Sequence, residues 1–463
     1  MSESAPLSGV LRRIDSTLAQ ARENWFAFLR IPSISAQPAY RPDCAAAAEW
    51  ARAQLAALGF QASVQPTAGQ PCVLAHHAGP GGGPHLLFYG HYDVQPADPV
   101  ELWTHPPFSP SVIEGPHGER VVARGAVDDK GQVMTWLEAF RAWHAETGGL
   151  PVPVTVLLEG EEEIGSPSLE ALLAEHREAL RADVAIISDT NMWDIDTPAI
   201  TTRLRGMAYL QIDLQGPDRD LHSGLFGGAG LNPINALTRI LGELHDARGR
   251  VQIPGFYDGV EEVSAEQAQE WQGLGFDEAA FLGGVGLSAP GGEAGVPALQ
   301  RLWARPTADL NGIWGGYTGE GSKTVIASEA HAKLSFRLVP GQDPDAIVEG
   351  FKRFVEARRP KDARVSYTLF SRGPGIAVPT DSRWVAAARA ALTEEFGRPA
   401  VLMGSGGSIP VVDSFRRLLG LDSLLVGFGL EDDQVHSPNE KFDVRCFHRG
   451  IRSHARLLAK LAA

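Results

Sequence analysis

The sequence predicts an α/β fold in which a mostly parallel sheet domain is interrupted by a smaller inserted α+β domain. Strand-like apolar runs alternate with helix-like patterns over residues 44–187, and the alternation resumes over residues 382–463. This order is typical of a parallel sheet with helices on both faces. From about Leu204, apolar and polar residues alternate instead, as in half-exposed antiparallel strands. We therefore predict one domain from residues 1–204 and 374–463, and an insertion at residues 205–373.

The first part of the chain is predicted to begin with two helices. Apolar residues spaced three or four apart indicate a helix over residues 8–30. A second helix begins near Cys44, and Gly59 is its expected C-terminal cap. The elements predicted after it are strands at 62–65, 72–75, 85–89, 152–158 and 184–187, and helices at 131–146 and 167–180.

The insertion is predicted to be a small sheet with helices on one face. Residues 207–215 form its first strand, and a helix begins after Asn232, a favourable N-cap that precedes a proline. Residues 247–320 are rich in Gly, Pro and acidic residues, so we expect a loop-rich excursion there. The other elements predicted in the insertion are strands at 323–327, 332–338 and 364–370 and a helix at 344–358.

The first domain is predicted to resume with strands at 400–403 and 424–428 and helices at 382–396, after Pro410 and from about 447.

Composition excludes several classes of protein. The 463 residues include 41 Lys and Arg against 56 Asp and Glu, and the formal charge of −15 disfavours nucleic acid and anionic membranes as partners. Three cysteines without a close pair argue for a reducing compartment and against a thiolate metal site. There is no signal-peptide pattern, and no run approaches the ~20 apolar residues of a membrane span. We expect a cytoplasmic protein.

Imidazole and carboxylate side chains recur where predicted strands end. Ligands of open α/β sheets bind outside the carboxyl ends of the strands, so these side chains are expected at one edge. Each alone has an ordinary explanation, such as a capped turn or a solvated loop, but a mixed set without thiols suits Zn²⁺, Mn²⁺ or Co²⁺. The set comprises His91 and Asp93, Asp128 before helix 131–146, Glu161–Glu163, Asp189 and His436.

Spacing within this set separates roles. His91 and Asp93 are two apart in an extended segment, so their side chains point the same way and Asp93 can hold the second imidazole nitrogen. Glu162 and Glu163 are adjacent in a turn, so one can bind a metal while the other acts as a general base. Two ions that share a carboxylate lie about 3.5–4 Å apart and lower the pKa of a bound water to about 7.

A series of motifs resembles the M20 family of metallopeptidases, and most resembles its carnosinase and cytosolic non-specific dipeptidase branch. In chain order they are GHYDVQP, ARGAVDDKG, EGEEEIGS, ISDTNMW, DLHSG, SFRLVP, GGSIP and VHSPNEK, and they extend from about residue 90 to 441. The resemblance implies a di-metal catalytic domain and an inserted lid domain that dimerises. It assigns His91 and Asp189 to one ion, Glu163 and His436 to the other, Asp128 to both, Glu162 as general base, and Asp93 to orienting His91.

The resemblance also implies substrate contacts in the insertion and near residue 408. By this resemblance, His222 would reach the partner subunit's active site and polarise the scissile carbonyl. Arg337 would bind the substrate's terminal carboxylate, which a planar two-pronged donor fits well. Thr324 and Ser408 match substrate-contact positions.

These expectations together describe a homodimeric dipeptidase with two divalent ions per subunit, Zn²⁺ being favoured and Mn²⁺ or Co²⁺ left open. Its substrate is a small peptide with a free C-terminal carboxylate. An N-acyl-amino-acid deacylase or a carboxypeptidase on the same scaffold is the main alternative. A non-catalytic metal-binding protein is least favoured, because no ligand or base is missing. The native metal, the preferred side chains and the role of residues 247–310 stay open.

Overall fold

The computed structural model describes residues 5–407 and 409–462. The chain divides into two compact units. The first comprises Met1–Thr202, Val378–Met403 and Pro410–Ala463, and the second comprises Arg203–Ala377 and Gly404–Ile409. Among the described residues, no helix is both long and apolar enough to cross a membrane.

The helices and strands are numbered here in chain order. Up to residue 204 they are α1 (Ala5–Leu29), α2 (Arg41–Ala56), β1 (Gln61–Gln65), β2 (Cys72–His77), β3 (Leu86–His91), β4 (Ser111–Gly115), β5 (Gly118–Val122), α3 (Lys130–Thr147), β6 (Val154–Glu159), α4 (Leu169–Glu175), β7 (Val184–Ile187) and β8 (Ala199–Leu204). Next come β9 (Gly206–Gln215), β10 (Leu221–His222), α5 (Ser223–Phe226), α6 (Pro233–Gly242), α7 (Ala265–Gly273), α8 (Glu278–Gly283), α9 (Ala298–Trp303), β11 (Thr307–Gly315), β12 (Val325–Ile326), β13 (Glu329–Leu338), α10 (Pro344–Glu356), β14 (Arg364–Gly373) and β15 (Ile376–Ala377). The last are α11 (Arg383–Phe396), β16 (Val401–Ser405), α12 (Pro410–Ser414), β17 (Ser423–Leu425), β18 (Lys441–Asp443) and α13 (Val444–Ala462).

The first unit is built on a mixed sheet whose centre is parallel, which confirms the predicted fold class. Its strand order is β1-β2-β6-β3-β7-β17-β8. Strands β6, β3, β7 and β17 run parallel to their neighbours in this group, while β1, β2 and β8 pair antiparallel. All residues of β3, β6 and β7 are buried, as expected for continuous apolar runs covered on both faces.

Consecutive residues of β3 show how both faces of this sheet are covered. Phe88 packs edge-on against Phe140 of α3, with 5.0 Å between ring centroids. Tyr89, which points to the opposite face, packs edge-on against Phe415 at 5.5 Å. The helical layer beside Phe88 also contains a stack of Trp25 from α1 on Phe447 from α13. These contacts on both faces fix the position of the carboxyl end of β3.

A second, three-stranded sheet of the first unit was not predicted. Strand β5 pairs antiparallel with both β4 and β18, and Lys441 lies opposite Val122. The residues of β4 are alternately half-buried and exposed, and none is buried. Its sequence therefore has no clear apolar alternation from which the strand could be predicted. The predicted strand at 424–428 is also shorter than expected, at Ser423–Leu425.

The second unit contains an antiparallel sheet in the order β11-β13-β9-β14. The alternation predicted for residues 207–215 is confirmed, since Leu210 and Ile212 are buried and Gln211 between them is half-buried. These apolar side chains form one core with α6 and α10, which include Leu237 and Phe351. Helix α6 begins at the expected cap, where the Asn232 side chain accepts hydrogen bonds from the backbone of Ile234 and Asn235.

The expectation of an irregular segment over residues 247–320 was wrong in part. The segment contains helices α7, α8 and α9 and the edge strand β11. Most residues of β11 are exposed or half-buried, so the sequence lacks an apolar alternation there. The predicted strand at 323–327 is reduced to Val325–Ile326, and it pairs with β10 rather than with the four-stranded sheet.

Candidate metal centre

Two imidazoles and three carboxylates of the first unit converge at the carboxyl edge of its sheet. Asp128 lies between the two histidines, with Oδ1 3.2 Å from His91 Nε2 and Oδ2 3.0 Å from His436 Nε2. Asp189 Oδ2 is 3.9 Å from His91 Nε2. On the other side, Glu163 Oε2 is 3.2 Å from His436 Nε2. The arrangement is therefore two-sided, with Asp128 shared.

Strand ends and loops explain how these side chains meet. His91 is the last residue of β3, and Asp189 follows β7, its parallel neighbour, two residues after the strand ends. Asp128 belongs to the segment between β5 and α3, where the Asp128–Asp129 peptide bond is cis. Asp129 Oδ2 accepts a hydrogen bond from the His91 backbone at 3.2 Å, which joins this segment to β3.

Asp93 contacts the ring nitrogen of His91 that does not face Asp128. The His91 Nδ1 lies 3.1 Å from the Asp93 carbonyl oxygen and 3.4 Å from Oδ1, so the backbone oxygen is the closer acceptor. The Asp93 carboxylate accepts hydrogen bonds from the backbone of Glu162 and Glu163 and from the Ser35 hydroxyl. Asp93 thus connects the imidazole of His91 to the turn that carries both glutamates.

Four glutamates at the end of β6 have different partners. Glu159 accepts a hydrogen bond from the Tyr89 hydroxyl, and burial raises the pKa of Glu159 to about 7. Glu161 accepts from the backbone of Gln70 and Ser168, so its carboxylate holds loops together. Glu163 faces His436, and Gln95 Nε2 donates to its Oε2. Among the described residues, no side chain forms a hydrogen bond or ion pair with the Glu162 carboxylate.

Charge is crowded at this edge. Burial raises the pKa of Glu162 well above its usual value, with Asp189 and Asp128 adding to the effect and His91 opposing it. Burial, followed by the charge of Asp128, raises the pKa of Asp189 to about 7. So many acids in a buried setting require compensating positive charge.

The two imidazoles supply part of that charge. Hydrogen bonds to Asp128 and Glu163 raise the pKa of His436 to about 10. Burial opposes a charge on His91, yet the nearby carboxylates of Asp128 and Asp93 outweigh burial and raise the pKa of His91 well above its usual value. The pKa of Asp128 is lowered because its contacts with both histidines outweigh burial. The two imidazoles thus supply positive charge that bound cations would otherwise provide.

The donor set fits divalent metal ions. Within the part of the chain that the structure describes, the buried His91 Nε2 has no well-aligned hydrogen-bond partner, although Asp128 Oδ1 lies 3.2 Å away. Ligand atoms of His91, Asp128 and Glu163 lie within 4.8 Å of one another, close enough to surround an ion. Nitrogen and oxygen donors without sulfur match Zn²⁺, Mn²⁺ or Co²⁺.

Three of the predicted substrate residues lie in the second unit. His222 is exposed at the end of β10, and its Nδ1 accepts a hydrogen bond from the Gly224 backbone. Thr324 is its neighbour, since the Thr324 carbonyl accepts from the Ser223 backbone at 3.1 Å. Arg337 is half-buried on β13, opposite Thr307 of β11. Ser408 lies outside the described residues.

A comparison with protein families covers the part of the chain that contains this site. The model of peptidase family M20/M25/M40 matches residues 87–460, which is most of the chain. The chain belongs to this family. All five of the converging side chains fall within the matched residues of this M20 peptidase. It is therefore a hydrolase that acts on peptide bonds, and family members of known structure include a dinuclear metal-binding peptidase.

Relatives of this M20 peptidase include dipeptidases. The chain is 32% identical over 450 residues to the Cys-Gly metallodipeptidase dug1 of Schizosaccharomyces pombe, covering 94% of each chain. Its structure is similar to that of human carnosine dipeptidase 1, with a TM-score of 0.83, 28% identity and full coverage of both chains. It is also similar to the metallo-carboxypeptidase Sso-CP2 from Sulfolobus solfataricus, with a TM-score of 0.82, 31% identity and coverage of 96% and 99%.

Sequence reasoning missed one residue next to this M20 centre. Glu440 is fully buried, and its carboxylate contacts the segment that carries Asp128. The sequence offers one signal, an acidic residue directly before β18, a strand that is itself buried. That signal does not specify a partner, because the contacting segment lies more than 300 residues earlier.

Proposed function

We propose that this M20 peptidase is a metal-dependent dipeptidase that hydrolyses small peptides with a free C-terminal carboxylate. The observation that carries the proposal is the position of Asp128, whose two oxygens face His91 and His436 separately. One carboxylate placed in this way can serve two ions. The dipeptidases among the chain's relatives support this choice of substrate.

Five side chains are proposed to hold the two ions. His91 and Asp189 would bind one ion, Glu163 and His436 the other, and Asp128 both. When bound, such ions supply Lewis acidity, which lowers the pKa of a water to about 7 and polarises a carbonyl. We favour Zn²⁺, with Mn²⁺ and Co²⁺ as candidates that suit the same donors.

Glu162 is proposed as the general base. It is adjacent to Glu163 in the chain, and the Asp93 carboxylate accepts hydrogen bonds from the backbone of both glutamates, which holds Glu162 beside the site. Glu162 takes a proton from the attacking water as the water oxygen bonds to the scissile carbon. It then transfers that proton to the leaving amine nitrogen as the amide bond breaks. Asp93 acts indirectly, by orienting His91 and the Glu162 backbone.

The motifs that resemble the M20 family carry the proposed substrate contacts. Arg337 would bind the terminal carboxylate through paired hydrogen bonds. His222 would polarise the scissile carbonyl from the partner subunit of a homodimer formed through residues 205–373. Thr324 and Ser408 would contact the substrate.

The three cysteines, all buried and free, are consistent with the cytoplasm, which we propose as the location of the protein.

A carboxypeptidase acting on longer chains is the second candidate. It is favoured by one finding, the similarity to the metallo-carboxypeptidase Sso-CP2 over nearly the whole chain. Both activities release an amino acid that carries a free carboxylate, so the same arginine could serve either. They differ in whether the substrate extends beyond one residue on the amino side of the cleaved bond.

Chelation followed by metal re-addition to the wild-type protein tests the proposal. We expect activity on dipeptides to disappear with chelator and to return with Zn²⁺, Mn²⁺ or Co²⁺, with about two ions bound per chain. A panel of dipeptides, tripeptides, longer peptides and N-acetyl amino acids separates the alternatives. Faster cleavage of longer peptides would favour the carboxypeptidase, and faster release of acetate the deacylase. Full metal binding without hydrolysis of any amide would contradict all three enzyme assignments.

A further inference from the structure

Glu440 lies where two segments of the proposed metal centre leave a common pair of strands. Strand β18 begins directly after Glu440, and it pairs antiparallel with β5, which directly precedes the Asp128 segment. The Ala123 backbone donates to the Glu440 carbonyl at 3.1 Å, which extends this pairing by one step. The loop that carries His436 and the segment that carries Asp128 therefore diverge from one point.

The Glu440 carboxylate is occupied entirely by the Asp128 segment. Its Oε1 accepts hydrogen bonds from the backbone of Val127 at 3.0 Å and Asp128 at 3.1 Å. Its Oε2 accepts from the Gly125 backbone at 2.9 Å and from Arg124 Nη1 at 2.8 Å. Because all four donors belong to residues 124–128, a single side chain fixes the backbone that presents the shared carboxylate.

His436 needs such external support. Its side chain is 54% exposed, and its backbone has a φ of 61°, a region that residues with a side chain rarely adopt. Neighbouring contacts hold the two ends of its loop, since Asp433 accepts from the Leu430 backbone and Lys441 contacts Asp433. Burial of the imidazole therefore contributes little to its position, and the loop must be fixed relative to Asp128 through other contacts.

We propose that Glu440 is a positioning residue that joins the two ligand-bearing segments and sets the distance between His436 and Asp128. It is not a ligand, because both of its oxygens are buried and already accept two hydrogen bonds each. The inference rests on the metal-binding roles proposed for Asp128 and His436. It predicts that metal affinity and coordination geometry depend on a side chain that does not touch the ions.

Glu440→Gln tests this inference, because it preserves the size of the side chain but replaces one acceptor oxygen with a donor. That donor would face backbone N–H groups or Arg124, so the segment must shift. We expect Zn²⁺ affinity, measured by competition with a chromophoric chelator, to fall about 10- to 100-fold. The absorption spectrum of the Co²⁺-loaded variant should also change, because it reports the geometry around the ion.

The matched control is Glu293→Gln, which alters a buried glutamate paired with Arg305 in the second unit. It should leave Zn²⁺ affinity and the Co²⁺ spectrum unchanged. If Glu440→Gln does not fold, Arg124→Gln removes only one of the four donors, and we expect a few-fold loss of affinity. A folded variant of Glu440, or failing that of Arg124, with wild-type affinity and spectrum would overturn the inference. A wild-type protein that binds no metal would instead contradict the proposed function.

Discussion

Glu162 and Glu163 are consecutive residues with different surroundings, and this difference supports separate roles. Glu163 faces His436 and accepts a hydrogen bond from Gln95, while the Glu162 carboxylate has no hydrogen bond or ion pair with any described residue. The Asp93 carboxylate holds both backbones through their N–H groups. A ligand benefits from being fixed, whereas a proton carrier must reach first the water and then the amine nitrogen.

The variant Glu162→Gln should lose catalytic activity but still bind the metal ions. The amide cannot accept the proton, so we expect kcat on the best dipeptide to fall about 10²- to 10⁴-fold. Metal content, measured by elemental analysis, should stay at the wild-type level because no proposed ligand has changed. The control is Glu170→Gln, an exposed glutamate beside Arg417, which should retain activity. Near wild-type turnover by Glu162→Gln would remove Glu162 from the role of base.

The sequence predicted which ligand-type side chains meet because most of them follow strands of one sheet. Continuous apolar runs identify β3 and β7, and parallel neighbours end at the same edge, so His91 and Asp189 could be placed together. The finer contact of His91 was not predictable, since the nearest acceptor is the Asp93 carbonyl rather than its carboxylate. Backbone oxygens have no signature in a sequence.

Helix α6 shows how local sequence determines where an element begins. The Asn232 side chain accepts hydrogen bonds from the Ile234 backbone at 3.0 Å and the Asn235 backbone at 3.2 Å. Proline at the first helical position has no N–H to satisfy. Because these contacts span only a few residues, the start of α6 was predicted from the sequence.

Because Asn232 caps α6, Asn232→Ala should destabilise the second unit. Two N–H groups lose their side-chain acceptor, and we expect a loss of about 1 kcal/mol in the free energy of unfolding. Differential scanning calorimetry should show the transition of this unit shifted down by about 2–4 °C. Asn232→Asp restores an acceptor oxygen and should unfold close to the wild-type temperature. An unchanged transition in Asn232→Ala would show that the cap does not limit stability.

Strand β11 shows where local reasoning fails. It is an edge strand, its pairing partner β13 is identified only by the folded structure, and most of its side chains are exposed or half-buried. Its sequence therefore lacks the apolar alternation that revealed β9 and β13. The same limit applies to Glu440, whose donors are distant in the chain although they are adjacent in the fold.

For the whole molecule, alternation of strands and helices predicted the fold class because parallel strands require crossover connections. The alternation of apolar and polar residues that begins near Leu204 likewise indicated different packing from there on. The second unit has an antiparallel sheet with its own core. Assembly of subunits depends on surfaces that periodicity does not describe. The proposed dimer and the action of His222 across it therefore need a direct test.

Mixing two inactive variants provides that test. Glu162→Gln and His222→Ala should each be inactive alone, but a mixed dimer combines an intact Glu162 on one subunit with an intact His222 on the other. If His222 acts in the partner's site, random assortment should restore about a quarter of wild-type kcat per chain, because half the dimers carry one working site of two.

The control mixes Glu162→Gln with Asp128→Asn, two changes in the same unit of the chain. Each site of such a mixed dimer lacks one of these two side chains, so no activity should return. Coexpression of the variants, followed by a dipeptide assay and measurement of oligomeric state, gives both results. If the first mixture stays as inactive as its components although mixed dimers form, His222 acts within its own subunit or has no role in catalysis.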